Sequence, residues 1–187
     1  MFSEIYVTDF HTLVQAIQAG AKKILLGAGN LDQAVTVSKG FIAEASKYAH
    51  EHQASVTLII KAKAQGYVYS DIEAKMMEAD IFEAQALGVD AVAIGALTDA
   101  GRLDLDLMEQ LSASAGGMQV VANFAVDEIQ ADAQTEAFTW LADHDFDKVM
   151  TTNASALATS DLFYLEVSEQ RLTEALSGKT AVITTKI

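Results

Sequence analysis

The chain has 187 residues, 51% of them apolar and 20% charged, with a formal net charge of −14. That length suits a single domain spanning 1–187 with a sizeable core, and that charge speaks against nucleic acid and anionic membrane surfaces as partners. With no cysteine, disulfides, zinc–thiolate sites and thiol nucleophiles are all excluded. Its longest apolar runs, such as Val56–Ile60, are too short to cross a bilayer. The opening "MFSEIYVTDF" lacks a basic region followed by an apolar stretch, so a cytoplasmic protein is expected.

In chain order, a strand is expected at Glu4–Thr8 and a helix at Phe10–Ala19, with Asp9 as its cap and Gly20 ending it. A strand at Lys22–Gly27 runs into "GAGN", which lacks the lysine of a phosphate loop and the third glycine of a dinucleotide fingerprint. A helix at Gly40–His52 and a strand at Ser55–Ala62 follow. Ser70–Glu73 reads as a capping box opening a helix at Asp71–Leu87, which ends at Gly88. A strand at Ala91–Leu97 and a helix at Leu105–Ala115, capped by Asp104, lead to Gly116 and Gly117. Then come a strand at Gln119–Phe124 and a helix at Glu128–Asp143, with Asp127–Gln130 as a second capping box. Strands at Lys148–Asn153 and Phe163–Val167, a helix at Glu169–Leu176 capped by Ser168 and ended at Gly178, and a strand at Ala181–Ile187 complete the series.

The strands are aliphatic over four to six residues, the pattern of a parallel sheet covered on both faces. Eight of them alternating with helices predict a small TIM-like (β/α)8 barrel. Only "ASALATSDL" separates the sixth and seventh strands, and no helix follows the eighth, so one or two outer helices are expected to be missing or reduced. The competing architecture is an open, doubly wound sheet.

From Glu4 to about Met150 the chain resembles the CutC copper-homeostasis family. The resemblance is carried by "GYVYSD", "MMEADIFEAQALGVDAVAIGALT", "GRLD" and "GGMQVV", in order and spacing, and the closing "TTKI" is similar to the family's last strand. It implies a TIM-like fold, a role in copper homeostasis, copper as the ligand, and an internal loss around the sixth and seventh units. The departures fall on the family's motif positions. Lys61-Ala62-Lys63-Ala64-Gln65 replaces Arg-Pro-Arg-Gly-Gly, Asn123-Phe124 replaces a His-Arg pair, and Leu25-Leu26-Gly27 replaces an acid followed by Leu-Cys. The first-strand motif keeps its acid as Glu4 and exchanges its thiol for Tyr6; the family's Gly-Gly-Gly segment has no counterpart.

Barrel sites sit at the C-terminal ends of the strands. Alternation places Lys61 with Lys63, Glu4 with Tyr6, and Asn123 with Val121, so Glu4, Tyr6, Lys61, Lys63 and Asn123 are expected to meet at the mouth. One reading is a site for a small ion or acidic metabolite, with both ammonium groups holding the anion. The other pairs Lys61 with Glu4 in a structural ion pair and leaves Lys63 at the rim. No cofactor is evident, and copper follows from the resemblance alone. Copper(I) prefers sulfur ligands, and Met1, Met76, Met77, Met108, Met118 and Met150 are the only sulfur side chains. His50 and His52 end a predicted helix, His11 begins one, and His144 lies in a turn on the side away from the mouth. No nucleophile motif is present and the replaced family motif residues weigh against catalysis, but an enzyme or binding protein for a small acidic metabolite held by Lys61 and Lys63 stays open as the alternative, as does a homo-oligomer.

Overall fold

The computed structural model describes residues 3–152, together with the backbone of strands at 163–171 and 182–186. Eight strands, β1 (Ser3–Val7), β2 (Lys23–Leu26), β3 (Ser55–Ile59), β4 (Ala91–Ile94), β5 (Gln119–Ala122), β6 (Phe146–Thr151), β7 (Phe163–Arg171) and β8 (Val182–Lys186), pair in sequence order into a closed barrel. All eight pairings are parallel, and the seam closes with Glu4 beside Ile183 and Ile5 beside Thr184. The expected barrel is therefore observed, and the open sheet is not.

Five helices pack around it among the described residues: α1 (Phe10–Gln18), α2 (Lys39–Glu51), α3 (Asp71–Ala86), α4 (Leu105–Ser114) and α5 (Gln134–Asp143). Strand residues are buried on both faces, because one faces the interior and the other the helices. Ile5, Val7, Ile24, Leu26, Val56 and Leu58 on one face, and Glu4 and Leu25 on the other, are each at most 1% exposed.

The local signals work as ordinary chemistry predicts. Asp9 accepts from the Thr12 amide, Asp104 from Leu107, and Ser70 and Glu73 form both halves of the capping box. Gly20 and Gly88 follow their helices at φ 102° and 76°, a conformation that costs glycine nothing.

Two assignments are corrected. Asp127–Gln130 does not open a helix: Phe124–Glu128 is a 3-10 turn and α5 begins only at Gln134. Asp127 instead accepts hydrogen bonds from the Thr152 amide and hydroxyl, 2.8 and 2.7 Å away, and from the Thr151 hydroxyl. It ties the turn after β5 to the end of β6, so a long-range claim on the carboxylate overrides the local pattern. Ser168 and Glu169–Arg171 belong to β7, where pairing with β8 continues to Arg171 beside Lys186, so no helix begins there. The remainder of that expected helix, Gly178, and the segment where an outer helix was expected to be missing lie outside the described residues.

Ser70→Ala removes one of the two caps on the first turn of α3. The expected loss is about 1 kcal/mol, read as a lower thermal midpoint with unchanged helix content; an unchanged midpoint would show that the box contributes nothing.

Candidate functional site

Parallel strands with inward side chains give a barrel two distinct interior ends, and the five expected site residues are divided between them. Glu4, the second residue of β1, is 1% exposed. Its partner is Lys148 on β6, whose Nζ lies 3.5 Å from Glu4 Oε1. β1 and β6 are not neighbours in the sheet, so this contact crosses the interior, and both residues sit in the first half of their strands, away from the mouth. Lys23 on β2 shares this neighbourhood, acting on Glu4 and in contact with Lys148. Burial pushes the Glu4 carboxyl above its ordinary range, opposed by Lys148 and Lys23, and Glu4 Oε2 has no hydrogen-bond partner. Burial also holds the Lys23 ammonium below its usual range, with Lys148 acting in the same direction. The interior thus carries two cations about one desolvated carboxylate.

The mouth is built separately. Lys61 follows the end of β3 and is 3% exposed; its Nζ donates to the Ala64 carbonyl at 2.9 Å and lies 4.1 Å from the centre of the Tyr67 ring. A buried ammonium over an aromatic face exchanges hydration for the ring's negative face and one carbonyl. Burial lowers the Lys61 pKa, and the charges that oppose this are Glu128 and Asp32, not Glu4. The expected Glu4–Lys61 pair is therefore corrected: the two belong to opposite ends and have different partners.

Lys63 does not share a face with Lys61. The chain leaves the strand after Ile59 and bends, which ends the two-residue alternation. Lys63 Nζ turns outward to the Val68 carbonyl at 2.6 Å and to Glu73 Oε2 at 3.0 Å, joining the capping box of α3. Tyr6 and Asn123 are both buried towards the mouth. The Tyr6 hydroxyl donates to the Gly29 carbonyl at 2.8 Å, and burial together with Asp32 pushes its pKa up to about 12. Asn123 Oδ1 accepts from the Ala125 amide at 3.0 Å, capping the 3-10 turn. Neighbouring glycines make room for both: a Cβ on Gly27 would lie 2.8 Å from the Tyr6 ring, and one on Gly95 would lie 2.0 Å from Asn123 Oδ1.

Each of the five side chains is thus held by the protein itself, and the arrangement does not favour an anion gripped by Lys61 and Lys63. Copper fits the mouth no better. Tyr6, Lys61, Tyr67 and Asn123 offer no thioether, thiolate or imidazole, and the described residues contain no group of three His, Cys, Asp or Glu suited to a metal. Met77, Met108 and Met150 are fully buried packing residues on α3, α4 and β6. His50 Nε2 is 2.9 Å from Asp90, and His52 and His144 each contact the carbonyl four residues earlier. Lys148 and Lys23 escaped the sequence reading, although each was visible as a lysine at an inward position of an otherwise aliphatic strand.

The CutC family model matches residues 1–173. The chain belongs to the CutC family. Its relatives include a family protein CutC from Enterococcus faecalis, 35% identical over 83% of this chain and 75% of the relative. The copper homeostasis protein cutC homolog of Homo sapiens is 28% identical over 96% of this chain and 63% of its own length. A crystal structure of CutC from Streptococcus agalactiae matches with a TM-score of 0.88 at 23% identity, covering 100% of this chain and 99% of that one. A D-psicose 3-epimerase structure shares the fold at a TM-score of 0.60 and 12% identity, over 100% of this chain and 85% of that one. Such breadth of chemistry on one barrel leaves function to the site and not to the fold. No described helix is long and apolar enough to cross a membrane.

The raised pKa of Glu4 has a definite sign. The folded chain holds that proton more tightly than the unfolded chain, so ionised Glu4 costs stability at neutral pH, and acidification towards the ordinary value of 4.5 relieves the cost. Relative to Glu4→Gln, the native chain should therefore gain stability as pH falls from 7 towards 4.5. Lys148→Met strips the carboxylate of its nearest cation and should cost about 3 kcal/mol. Glu4→Gln/Lys148→Met should recover most of that loss in denaturant unfolding at pH 7; a double variant as unstable as Lys148→Met would refute the pairing.

Proposed function

We propose that this CutC-family chain is a cytoplasmic, non-catalytic copper-homeostasis protein whose barrel mouth is a structural remnant and not a ligand site. The observation that carries the proposal is the state of Lys61. At the position of the family's motif arginine stands a lysine buried over Tyr67, its ammonium donating to a backbone carbonyl three residues on. A group placed to bind a ligand would keep its donors for that ligand. Here the ammonium groups are directed to the chain itself, Lys61 to the Ala64 carbonyl and Lys63 to the Val68 carbonyl and Glu73. The copper role is supported by family membership and by the names of the human and mouse relatives.

Growth of the source organism at raised copper supplies the test. Deleting the gene should lower copper tolerance, and both the native gene and Lys61→Met/Lys63→Met should restore it. The purified double variant should keep its thermal midpoint, because replacing a buried ammonium with a side chain of similar volume removes a desolvation cost. Unchanged tolerance after deletion would overturn the copper role; a folded double variant that fails to restore growth would overturn the remnant mouth.

A further inference from the structure

Glu4, Lys23 and Lys148 meet at the end of the barrel away from the mouth, and the copper role makes no use of them. Ile5 of β1 pairs with Ile24 of β2, so Glu4 and Lys23, one residue earlier on each strand, stand side by side on the opposite, inward face. Lys148 reaches the same place from β6, with its Nζ 3.5 Å from Glu4 Oε1. Glu4 is 1% exposed and the Lys148 side chain 14%, whereas Lys23, the first residue of its strand, is half-buried. The cluster is thus desolvated at its centre and open to a small molecule at Lys23.

Two features of this cluster go beyond an ordinary ion pair. Lys148 acts on Lys23 through a side-chain hydrogen bond as well as through its charge. An ammonium has three donors and no lone pair, so that bond requires one of the two lysines to shed a proton. Lys148 is paired with Glu4 and keeps its own. Lys23, desolvated and beside a second cation, is the one that gives it up. A lysine in that state is a nucleophile. The second feature is Glu4 Oε2, a buried oxygen with no hydrogen-bond partner among the described residues. It has a lone pair to offer a proton, and burial strengthens the hold of this carboxylate on one.

We propose that Lys23 is a carbamylation site: its Nζ captures carbon dioxide, Glu4 takes the proton released, and Lys148 pairs with the carbamate. The amine lone pair attacks the carbon, an N–C bond forms, and one C=O π pair moves onto oxygen. The nitrogen then passes one proton to Glu4 Oε2, so no oxidant, reductant or second reactant is required. Charge decides for carbon dioxide over an aldehyde or ketone, the other electrophiles that such an amine captures. A protonated imine would leave two cations about one buried carboxylate. The carbamate instead gives Lys148 an anion as Glu4 becomes neutral, and the net charge of the cluster does not change. Carbon dioxide is also small and uncharged, so it enters a desolvated space without the cost of burying an ion. This is a modification and not a catalytic cycle, and it stands independently of the copper role.

Lys22, the preceding residue, supplies an internal control: its exposed Nζ donates to the His52 carbonyl at 2.9 Å, outside the cluster. Purified full-length protein would be equilibrated with isotopically labelled bicarbonate at fixed pH and ionic strength and read by carbon NMR. An alkyl oxonium salt, which esterifies carbamates, would then trap the adduct for peptide mass spectrometry. The expected result is a carbamate resonance and a trapped ester on Lys23, both lost in Lys23→Arg and both kept in Lys22→Arg. Glu4→Gln should need roughly tenfold more carbon dioxide for the same occupancy, because the proton must then leave for solvent. Carbon dioxide should also raise the thermal midpoint of the native chain and not that of Lys23→Arg, since it is held by the folded state alone. No carbamate resonance, an ester confined to Lys22 or the α-amino group, or a signal surviving Lys23→Arg would overturn the site. Equal occupancy in Glu4→Gln would overturn the proton transfer. Trapping on the native chain alone locates the adduct, so the proposal remains testable even where Lys23→Arg does not fold. None of these readouts involves copper, so failure here and failure of the growth test are told apart.

Discussion

Closure of the sheet is the constraint on which everything else in this protein depends. Once β1 pairs with β8, no strand edge remains to template aggregation, and every inward side chain must share one enclosed volume. Aliphatic residues fill most of such a volume without cost. Any charge placed there must find its counter-charge across the barrel, because neither water nor a surface partner is at hand. Glu4 and Lys148 meet this requirement from strands that do not touch in the sheet. The acid that the family resemblance marks as retained is therefore tied to the closed form of the barrel, since opening the seam would part it from its cation.

The same constraint explains why the mouth is closed by the chain's own groups. Lys61, Tyr6, Tyr67 and Asn123 are all less than 7% exposed, and each polar tip of Lys61, Tyr6 and Asn123 is matched to backbone within the loops that follow the strands. Burial raises the Tyr6 pKa and lowers that of Lys61, and both groups are engaged by contacts within the chain. Asp127, by binding Thr151 and Thr152, fixes the loop after β5 against the end of β6 and adds to the rigidity of that rim.

Much of the fold was legible because it rests on short-range physics. Helix starts at Asp9, Ser70 and Asp104 depend on a side chain reaching an amide two or three residues away, and aliphatic strand runs depend on burial that every neighbour shares. The failures are long-range. Asp127 looked like a cap because its sequence neighbours permit one, and it serves Thr152 instead. Ser168 looked like a helix start, yet β8 offered the backbone a strand partner. Lys63 was expected beside Lys61, and a bend after Ile59 turned it to α3.

By itself, then, the sequence determined an acidic, cysteine-free α/β chain of eight alternating units, its family, and the residues able to carry charge. It could do so because composition, periodicity and capping are properties of neighbouring residues. Only the tertiary structure decided which charges meet. It set Glu4 against Lys148 and Lys23 at one end and laid Lys61 over Tyr67 at the other. The Glu4–Lys148 and Tyr6–Gly29 contacts, across 144 and 23 residues, are fixed by closure and register, and no local pattern records them.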